Sequence, residues 1–543
     1  VTIAGAGGVN QPNVNTNQTV TQTNVSAGTL SVTATLTSPV TVTGTGNLNI
    51  LAAGGVVGNV AAGGATVSNA GGITGNLSVT AGVVDNSDTV SGTTTVSGGT
   101  LNLEAGSNLA DNQALTVNGG TVNVNASDTV GSLGGTGGTV DIDGPQKLTV
   151  GGNNTSTTYS GDIAGRGTRT KRGTGTLTLE GANSSTGTMD VLFGQVAVTG
   201  AGTVNTGTIH IGGAGTFTAD GGALAGSNAV YGNGQLNITG DETIENMFDF
   251  IGDTDIGAGA TLTLAGNATY SLSGDISGAG NLTVDGADVN NLNTTAKTYT
   301  GSTNVNSGVL VLGVGIASTD VNVSGGALAT ANGAFAAGTT LDISGGSVDV
   351  RDNDAITSVT QSAGTLGGDA TLTVTGAYEQ TGGTTGGSVT VSADTFEQTG
   401  GTVASGTTVN AATSATLNGG TIQGTLGGAG GVTIQTGTTT VSGAISGNVT
   451  VGSGGRLVIG NSNAIGGTIT TTGSVVGYSN GVNEGSAIVV NSDTTQLEVV
   501  TGSATQSGVI SEAGGARPLE KIGAGELTLS GTNSFTGDLT ISD

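Results

Sequence analysis

Few side chains in this 543-residue sequence could carry out acid–base or nucleophilic chemistry. The chain has one histidine, His210, and no cysteine. A cysteine nucleophile, a thiolate metal site and a disulfide scaffold are therefore excluded. His210 lies between Ile209 and Ile211 in an alternating run, which predicts that its side chain points outward from a strand. Without His210, no Ser–His–Asp set can be assembled.

Paired carboxylates are the remaining candidates for catalysis. Asp141 and Asp143 are two residues apart, as are Asp253 and Asp255, and such pairs lie on one face of a strand. A glycosidase also needs a cleft and a raised pKa on one of its two acids. The sequence shows no sign of a cleft, so a polysaccharide-degrading enzyme is kept only as an alternative.

An acidic segment at 241–256 is the best candidate for a metal site. It holds six carboxylates, and Asp249, Asp253 and Asp255 are the candidate Ca²⁺ ligands, because hard cations prefer several oxygen ligands. Asp352 and Asp354 form a weaker candidate. The alternative is an irregular insertion or coil whose acids lie in water. No other cofactor is expected.

A basic cluster is a candidate partner contact. Four of the ten basic residues lie within seven positions, at Arg166, Arg169, Lys171 and Arg172. They could meet an acidic face of a neighbouring chain, or they could belong to a solvated turn. Over the whole chain, 37 acids and 10 bases give a net charge of −27. Nucleic-acid binding depends on lysine and arginine and is therefore excluded.

Regular repeats indicate which elements position these side chains. A Gly-Gly-Thr triplet or a close variant recurs every 18–21 residues, most regularly within 359–424. The marker threonines are Thr100, Thr121, Thr139, Thr365, Thr384, Thr402 and Thr421. Between the triplets lie short runs such as Thr371–Val374, in which apolar and polar residues alternate as in half-buried strands. Glycine, which makes up 106 residues, supplies the turns.

These observations predict an all-β fold with essentially no α-helix. A repeat of this length with about three short strands is one coil of a right-handed parallel β-helix, or β-solenoid. We expect one continuous β-helix over 1–543, of about 27 coils. No run of apolar residues is long enough for a transmembrane helix.

A longer pattern is more specific. Residues 171–187 and 521–537 share the frame K-x-G-x-G-x-L-T-L-x-G-x-N-S-x-T-G, with 11 of 17 positions identical. With their flanks, the two copies cover 158–200 and 506–543, and a looser copy with inserted residues covers 269–313.

This frame resembles the autotransporter-associated β-strand repeat of bacterial autotransporter passengers and related large surface proteins. The resemblance implies an exported bacterial protein, extracellular or at the cell surface, in which the repeat is structural. We therefore expect a stalk, an adhesin shaft, or a subunit of a surface layer or filament, without catalysis. A glycan-binding adhesin is the first alternative, and surface glycans would then be partners.

The chain ends suggest one further expectation. Residues 538–543 stop inside the second repeat, and neither terminus shows a polar cap of the kind that solenoids need. We expect the chain to continue beyond both ends, or to associate with itself end to end or laterally.

Overall fold

The computed structural model describes residues 1–4, 12–205, 207–224, 229–245, 249–267, 269–292, 295, 297–331 and 333–542. The chain divides into two compact units, Val1–Gly280 and Asn281–Asp543. Each unit is an all-β parallel solenoid, and the described residues contain no α-helix. In particular, no helix in this part of the chain is long and apolar enough to cross a membrane.

The first unit consists of short strands separated by turns. Its strands are Thr2–Ile3, Asn13–Val14, Gln18–Thr19, Thr23–Val32, Thr35–Thr37, Val40–Ile50, Gly55–Val57, Val60–Gly63, Thr66–Asn69, Ile73–Thr74, Leu77–Val79, Val83–Asn86, Thr89–Val90, Thr94–Val96, Thr100–Leu103, Asn108–Leu109, Ala114–Val117, Thr121–Val124, Asp128–Val130, Ser132–Gly134, Thr139–Ile142, Lys147–Val150, Thr157–Tyr159, Asp162–Gly165, Thr168–Lys171, Thr176–Leu179, Ala182–Asn183, Thr188–Val198, Thr203–Val204, Thr208–Ala219, Ala229–Gly232, Gln235–Ile238, Glu242–Ile244, Asp249–Phe250, Asp253–Ile256, Thr261–Ala265, Thr269–Leu272 and Ile276–Gly278.

The second unit is built in the same way. Its strands are Asn281–Leu292, Thr303–Leu312, Asp320–Val323, Ala327–Thr330, Thr340–Ile343, Ser347–Val350, Asp354–Ile356, Ser358–Gln361, Thr365–Gly368, Thr371–Gln380, Thr384–Thr385, Thr390–Gln398, Thr402–Val403, Thr408–Leu417, Thr421–Ile422, Thr425–Gly427, Val432–Val441, Ala444–Ile445, Val449–Ile459, Ile469–Thr471, Val475–Tyr478, Asn483–Glu484, Ile488–Val490, Thr495–Val499, Ser503–Gln506, Ile510–Glu512, Leu519–Ile522, Glu526–Leu529 and Leu539–Ile541.

The register of the strands confirms that the sequence repeat is one coil. In the first unit Thr100 pairs with Thr121, which pairs with Thr139. In the second unit the other marker threonines pair in the same way, in the order Thr365, Thr384, Thr402 and Thr421. Each marker therefore occupies the same corner of successive coils.

The core of each unit lies inside its coils, where the strands enclose it. Val84, Leu101, Val122 and Val140 stand at equivalent positions of successive strands, and all four are fully buried. Because successive side chains of a strand point to opposite faces, the neighbouring threonines and asparagines form ladders on the outside. A single coil cannot bury its apolar face, so each coil depends on the next one for its stability.

The prediction of an irregular insertion at 241–256 is wrong for the described residues of that segment. Glu242–Ile244 pairs in register with Leu262–Leu264, and Asp253–Ile256 pairs with Gln235–Ile238. The segment forms regular strands because its apolar residues point inward, and Ile244, Phe250 and Ile256 fill the core. Residues 246–248 lie outside the described part of the chain.

Candidate functional site

The lysine of the repeat frame closes a turn. Lys171 Nζ donates hydrogen bonds to the backbone carbonyls of Arg172, at 2.6 Å, and Gly173, at 2.9 Å. Burial lowers the pKa of Lys171 to about 8. In the second copy, Lys521 Nζ donates to the carbonyl of Gly523, which is the equivalent contact. The frame lysine is therefore held by backbone oxygens of its own turn.

The asparagine of the frame links one coil to the previous one. Asn183 Oδ1 accepts a hydrogen bond from the backbone N–H of Ile163 at 3.2 Å. Asn533 Oδ1 accepts from the N–H of Ile510 at 2.8 Å. Buried N–H groups without a partner are costly, so this contact stabilises the coil junction in both copies. The frame therefore encodes a way of stacking coils.

Gly173 shows how strictly the frame depends on glycine. Its φ is +68°, and a Cβ atom would lie 2.0 Å from the carbonyl oxygen of Gly151. We expect Gly173→Ala to lower the free energy of unfolding by about 3 kcal/mol, from left-handed strain and steric overlap together. The control is Gly200→Ala, since Gly200 has a φ of +67° and open space around it. For Gly200→Ala, the left-handed strain alone predicts a loss of about 1 kcal/mol in the free energy of unfolding. Urea denaturation measures both values, and equal losses would contradict the overlap.

The structure separates the four residues of the basic cluster. Arg166 and Arg172 are exposed, whereas Arg169 and Lys171 lie inside the coil. A partner contact through Arg169 or Lys171 is therefore excluded, and the prediction is retained for Arg166 and Arg172 alone. The error has a simple origin, because strand alternation directs residues 169 and 171 inward although both carry a charge.

Arg169 is an unpaired buried charge. Its Nε and both terminal nitrogens are buried and make no hydrogen bond. Burial lowers the pKa of its guanidinium to about 10. The side chain stands in the same column as Leu148 and Met189 of the adjacent coils, so its surroundings are apolar. An isolated charge in such a place opposes folding.

A polar groove opens beside this cluster. It has a volume of about 700 Å³, and its lining includes Asp111, Asp128, Lys147 and Arg172. Nothing in the sequence indicated this groove. It is formed by corners of successive coils, so its residues are far apart in the sequence and come together only through the register.

Asp128 is the most strongly held carboxylate of the groove. Its oxygens accept hydrogen bonds from the N–H of Leu109, at 3.1 Å, the N–H of Thr129, at 2.8 Å, and the hydroxyl of Ser107, at 3.1 Å. Burial nevertheless raises the pKa of Asp128 to about 6. Desolvation of the charged form therefore outweighs the hydrogen bonds that favour it.

This shift predicts a pH dependence of stability. The folded chain holds the Asp128 proton more tightly than the unfolded chain, whose carboxyl has a pKa near 3.8. The stabilising contribution is therefore fully present below pH 3.8 and is lost as the pH rises through about 6. We expect a loss of at most about 3 kcal/mol. Urea denaturation between pH 3.5 and 7 (about the range of both pKa values) measures it. Asp128→Asn should reduce the dependence of the unfolding free energy on pH. An unchanged dependence in this variant would contradict the raised pKa of Asp128.

Other buried carboxylates also accept backbone N–H groups of the preceding coil. Glu242 accepts from Ala223 and Leu224, and Glu484 accepts from Ala464. Asp354, one of the weaker metal candidates, accepts from Phe335 at 3.1 Å and Ala355 at 2.9 Å. Burial raises the pKa of Glu242 and that of Asp354. Asp354 therefore satisfies the backbone of its coil junction, while Asp352 is exposed.

Two of the remaining metal candidates accept hydrogen bonds from the next coil. Asp253 Oδ1 accepts from the N–H of Asp275 at 3.0 Å, and Asp255 Oδ1 accepts from the hydroxyl of Ser277 at 3.0 Å. The side chain of Asp249 lies outside the described part of the structure. Among the side chains that are described, no three acids or histidines are grouped so that they could hold a metal ion. Calcium binding by this segment stays a prediction.

His210 lies on the outside of its strand. Its ring stacks on Tyr231 of the next coil, with 4.7 Å between ring centroids, and its Nδ1 is 3.4 Å from Asp190 Oδ1. The three residues are in register on adjacent strands. Ile209 and Ile211 are fully buried, as the alternation predicts. His210 is therefore part of an outer ladder.

A buried glutamine ladder was not predicted from the sequence. Gln361, Gln380 and Gln398 are fully buried at equivalent positions of three coils. Gln398 Nε2 donates to Gln380 Oε1 at 2.9 Å, and Tyr378 donates its hydroxyl to Gln361 Oε1 at 2.6 Å. The near copies Tyr-Glu-Gln and Phe-Glu-Gln, 18 residues apart, were the available signal.

Comparison with known proteins supports the resemblance of the frame. The family model of the passenger-associated-transport-repeat matches residues 170–211 and 519–543. The adhesin BmaC autotransporter of Brucella suis biovar 1 (strain 1330) is 30% identical over 254 residues, which are 42% of this chain and 6% of that protein. The chain therefore contains two passenger-type repeats and, over part of its length, is similar to an autotransporter adhesin. No solved structure matches it.

Proposed function

We propose that this chain is a structural, non-catalytic part of a bacterial surface passenger, and that it serves as an adhesin shaft which itself attaches to surface glycans. The observation that carries the proposal is the role of the repeat frame. In both copies, the frame lysine closes its own turn and the frame asparagine forms a hydrogen bond to the previous coil. The similarity to an adhesin autotransporter supports the same role, although the match spans only 6% of that protein.

The placement of reactive groups also supports a structural role. The candidate residues His210, Asp255 and Asp354 are each engaged with neighbouring groups of adjacent coils. Asp128 is held by two backbone N–H groups and a hydroxyl. Groups that are held in this way stabilise the stacking of coils, which is the property that a shaft requires.

An attachment assay tests the proposed function. Beads coated with the purified chain are expected to be retained on glycan-bearing surfaces under flow, and beads coated with heat-unfolded chain are not. Equal retention of both kinds of bead would contradict an adhesive role.

Incubation with acidic and neutral polysaccharides tests the enzymatic alternative, with new reducing ends as the readout. No release is expected. Release that disappears in Asp128→Asn, while the variant keeps its β-sheet circular dichroism, would replace the structural proposal with an enzymatic one.

A further inference from the structure

One side of the groove described above comes from the most basic part of an acidic chain. Residues 147–172 contain five basic residues and one acid, whereas the whole chain has 10 bases against 37 acids. Two of the five bases, Arg169 and Lys171, lie inside the coil, and the other three outnumber the single acid of the segment. A local excess of one sign attracts ligands of the other sign, and a concave surface strengthens the effect.

Two cations of this segment, Lys147 and Arg172, face the groove. Neither takes part in an ion pair with a carboxylate among the described residues. Asp128 also lines the groove, but its oxygens already accept three hydrogen bonds from the protein. Asp111 and Asp128 balance the two cations in net charge, but Asp128 is only 8% exposed. Lys147 and Arg172 are therefore the charged donors left for a ligand, and they favour an anionic group.

The rest of the lining suits a saccharide. Amides and hydroxyls, including those of Asn108, Asn112 and Ser127, offer both donors and acceptors to sugar hydroxyls. The described residues of the lining include no aromatic ring, so a neutral sugar would lack a stacking platform. The volume of about 700 Å³ falls within the usual range for small-ligand sites.

We propose that this groove binds an acidic oligosaccharide, whose carboxylate or sulfate groups contact Lys147 and Arg172. The proposal rests on the adhesin function, since it supplies the ligand through which the passenger attaches. Charge-assisted hydrogen bonds contribute most of the affinity, and the amide and hydroxyl groups orient the sugar rings.

Calorimetric titration of the purified chain tests the proposal with three probes. These are a hexamer of galacturonic acid, the same hexamer fully methyl-esterified, and a sulfated hexasaccharide. The methyl ester keeps the shape but removes the charge, so we expect it to bind at least tenfold more weakly. The two charged probes distinguish carboxylate from sulfate, and binding of either supports the proposal. Failure of both, or equal binding of acid and ester, would overturn it.

Variants then locate the binding site. Lys147→Ala combined with Arg172→Ala is expected to weaken binding of the charged hexamer at least tenfold. Arg166→Ala is the matched control, because Arg166 is an exposed cation of the same segment that does not line the groove. Thermal melting confirms that both variants remain folded. Equal affinities in the two variants would refute the site.

Two further measurements separate this proposal from its alternatives. Bead attachment without oligosaccharide binding would refute the groove site and leave the adhesin function intact, whereas binding without attachment would refute the function alone. Sedimentation tests whether a second copy of this acidic chain occupies the groove. Self-association that is lost in the Lys147/Arg172 variant, without any oligosaccharide binding, would overturn the proposal.

Discussion

Replacing Arg169 with leucine is expected to stabilise the first unit by about 2–4 kcal/mol. The guanidinium is 5% exposed and has no hydrogen-bond partner, so the folded state bears the full desolvation of a charge. The lowering of its pKa to about 10 corresponds to about 3 kcal/mol, which agrees with this range. Most core substitutions destabilise a protein, and a gain of this size would be unusual.

The second copy of the repeat frame shows that leucine fits this position. Arg169 stands two residues before the frame lysine Lys171, and Leu519 stands two residues before Lys521. Leu519 is 1% exposed and lies in register with Leu539. Leucine at 169 would continue a column that already contains Leu148 and Met189.

Hydrogen exchange is the measurement chosen for Arg169→Leu, because it reports the local stability of single strands. Amides of the strand Thr168–Lys171 should exchange more slowly in the variant. Arg166→Leu is the control, and it should change nothing, since Arg166 is exposed. Faster exchange in Arg169→Leu would contradict the unpaired state of the guanidinium.

Replacing Gln380 with leucine is expected to destabilise the second unit by about 2–4 kcal/mol. Gln380 Oε1 accepts from Gln398 Nε2, and Gln380 Nε2 donates to Thr385 Oγ1 at 3.1 Å. Gln380 Nε2 also donates to Gln361 Oε1 and to the carbonyl of Thr402, at 3.3 Å each, and leucine, although similar in size, removes all four contacts. The Gln398 amide would remain in the core without this partner, and the desolvation of unpaired polar groups accounts for the loss.

A double variant distinguishes lost hydrogen bonds from lost packing. When Gln380 and Gln398 are both replaced by leucine, the Gln398 amide is no longer buried without its partner. Gln361 Oε1 also loses the Gln380 amide, but it keeps the hydroxyls of Tyr378 and Thr385 as donors, so part of the stability should return. Glu379→Ala is the control, since Glu379 is exposed between the two buried residues of its strand. Urea denaturation and exchange of the Thr390–Gln398 amides measure the effects. Equal losses in the single and double variants would point to packing.

The coil spacing and register were predictable because they follow from small residues at corners. The marker threonines follow directly after the glycines that turn the chain. The spacing of this repeat predicts the pairs Thr384–Thr402 and Thr402–Thr421. The inward position of Gln380 and Arg169 was not predicted. Strand alternation places both inside, whereas polarity argues for the surface. Gln380 finds hydrogen-bond partners inside the coil, but Arg169 is buried without any.

The groove could not be predicted for a different reason. Asp128 and the Leu109 amide that it binds are 19 residues apart, and no local pattern marks either residue. They meet because adjacent coils stack at a fixed register. The sequence shows that Lys147 and Arg172 are charged, but whether both side chains face one groove depends on the geometry of the turns.

The pairing of each coil with the next determines how the second unit would respond to force. Between Thr371 and Leu417, the strands Thr371–Gln380, Thr390–Gln398 and Thr408–Leu417 bond only to coils directly before and after them. Tension on the chain would therefore peel off one coil at a time. Each coil of 18 or so residues releases about 60 Å of extended chain. Such stepwise lengthening would dissipate mechanical energy while the remaining coils stay folded, which is the response that the proposed shaft would need under flow.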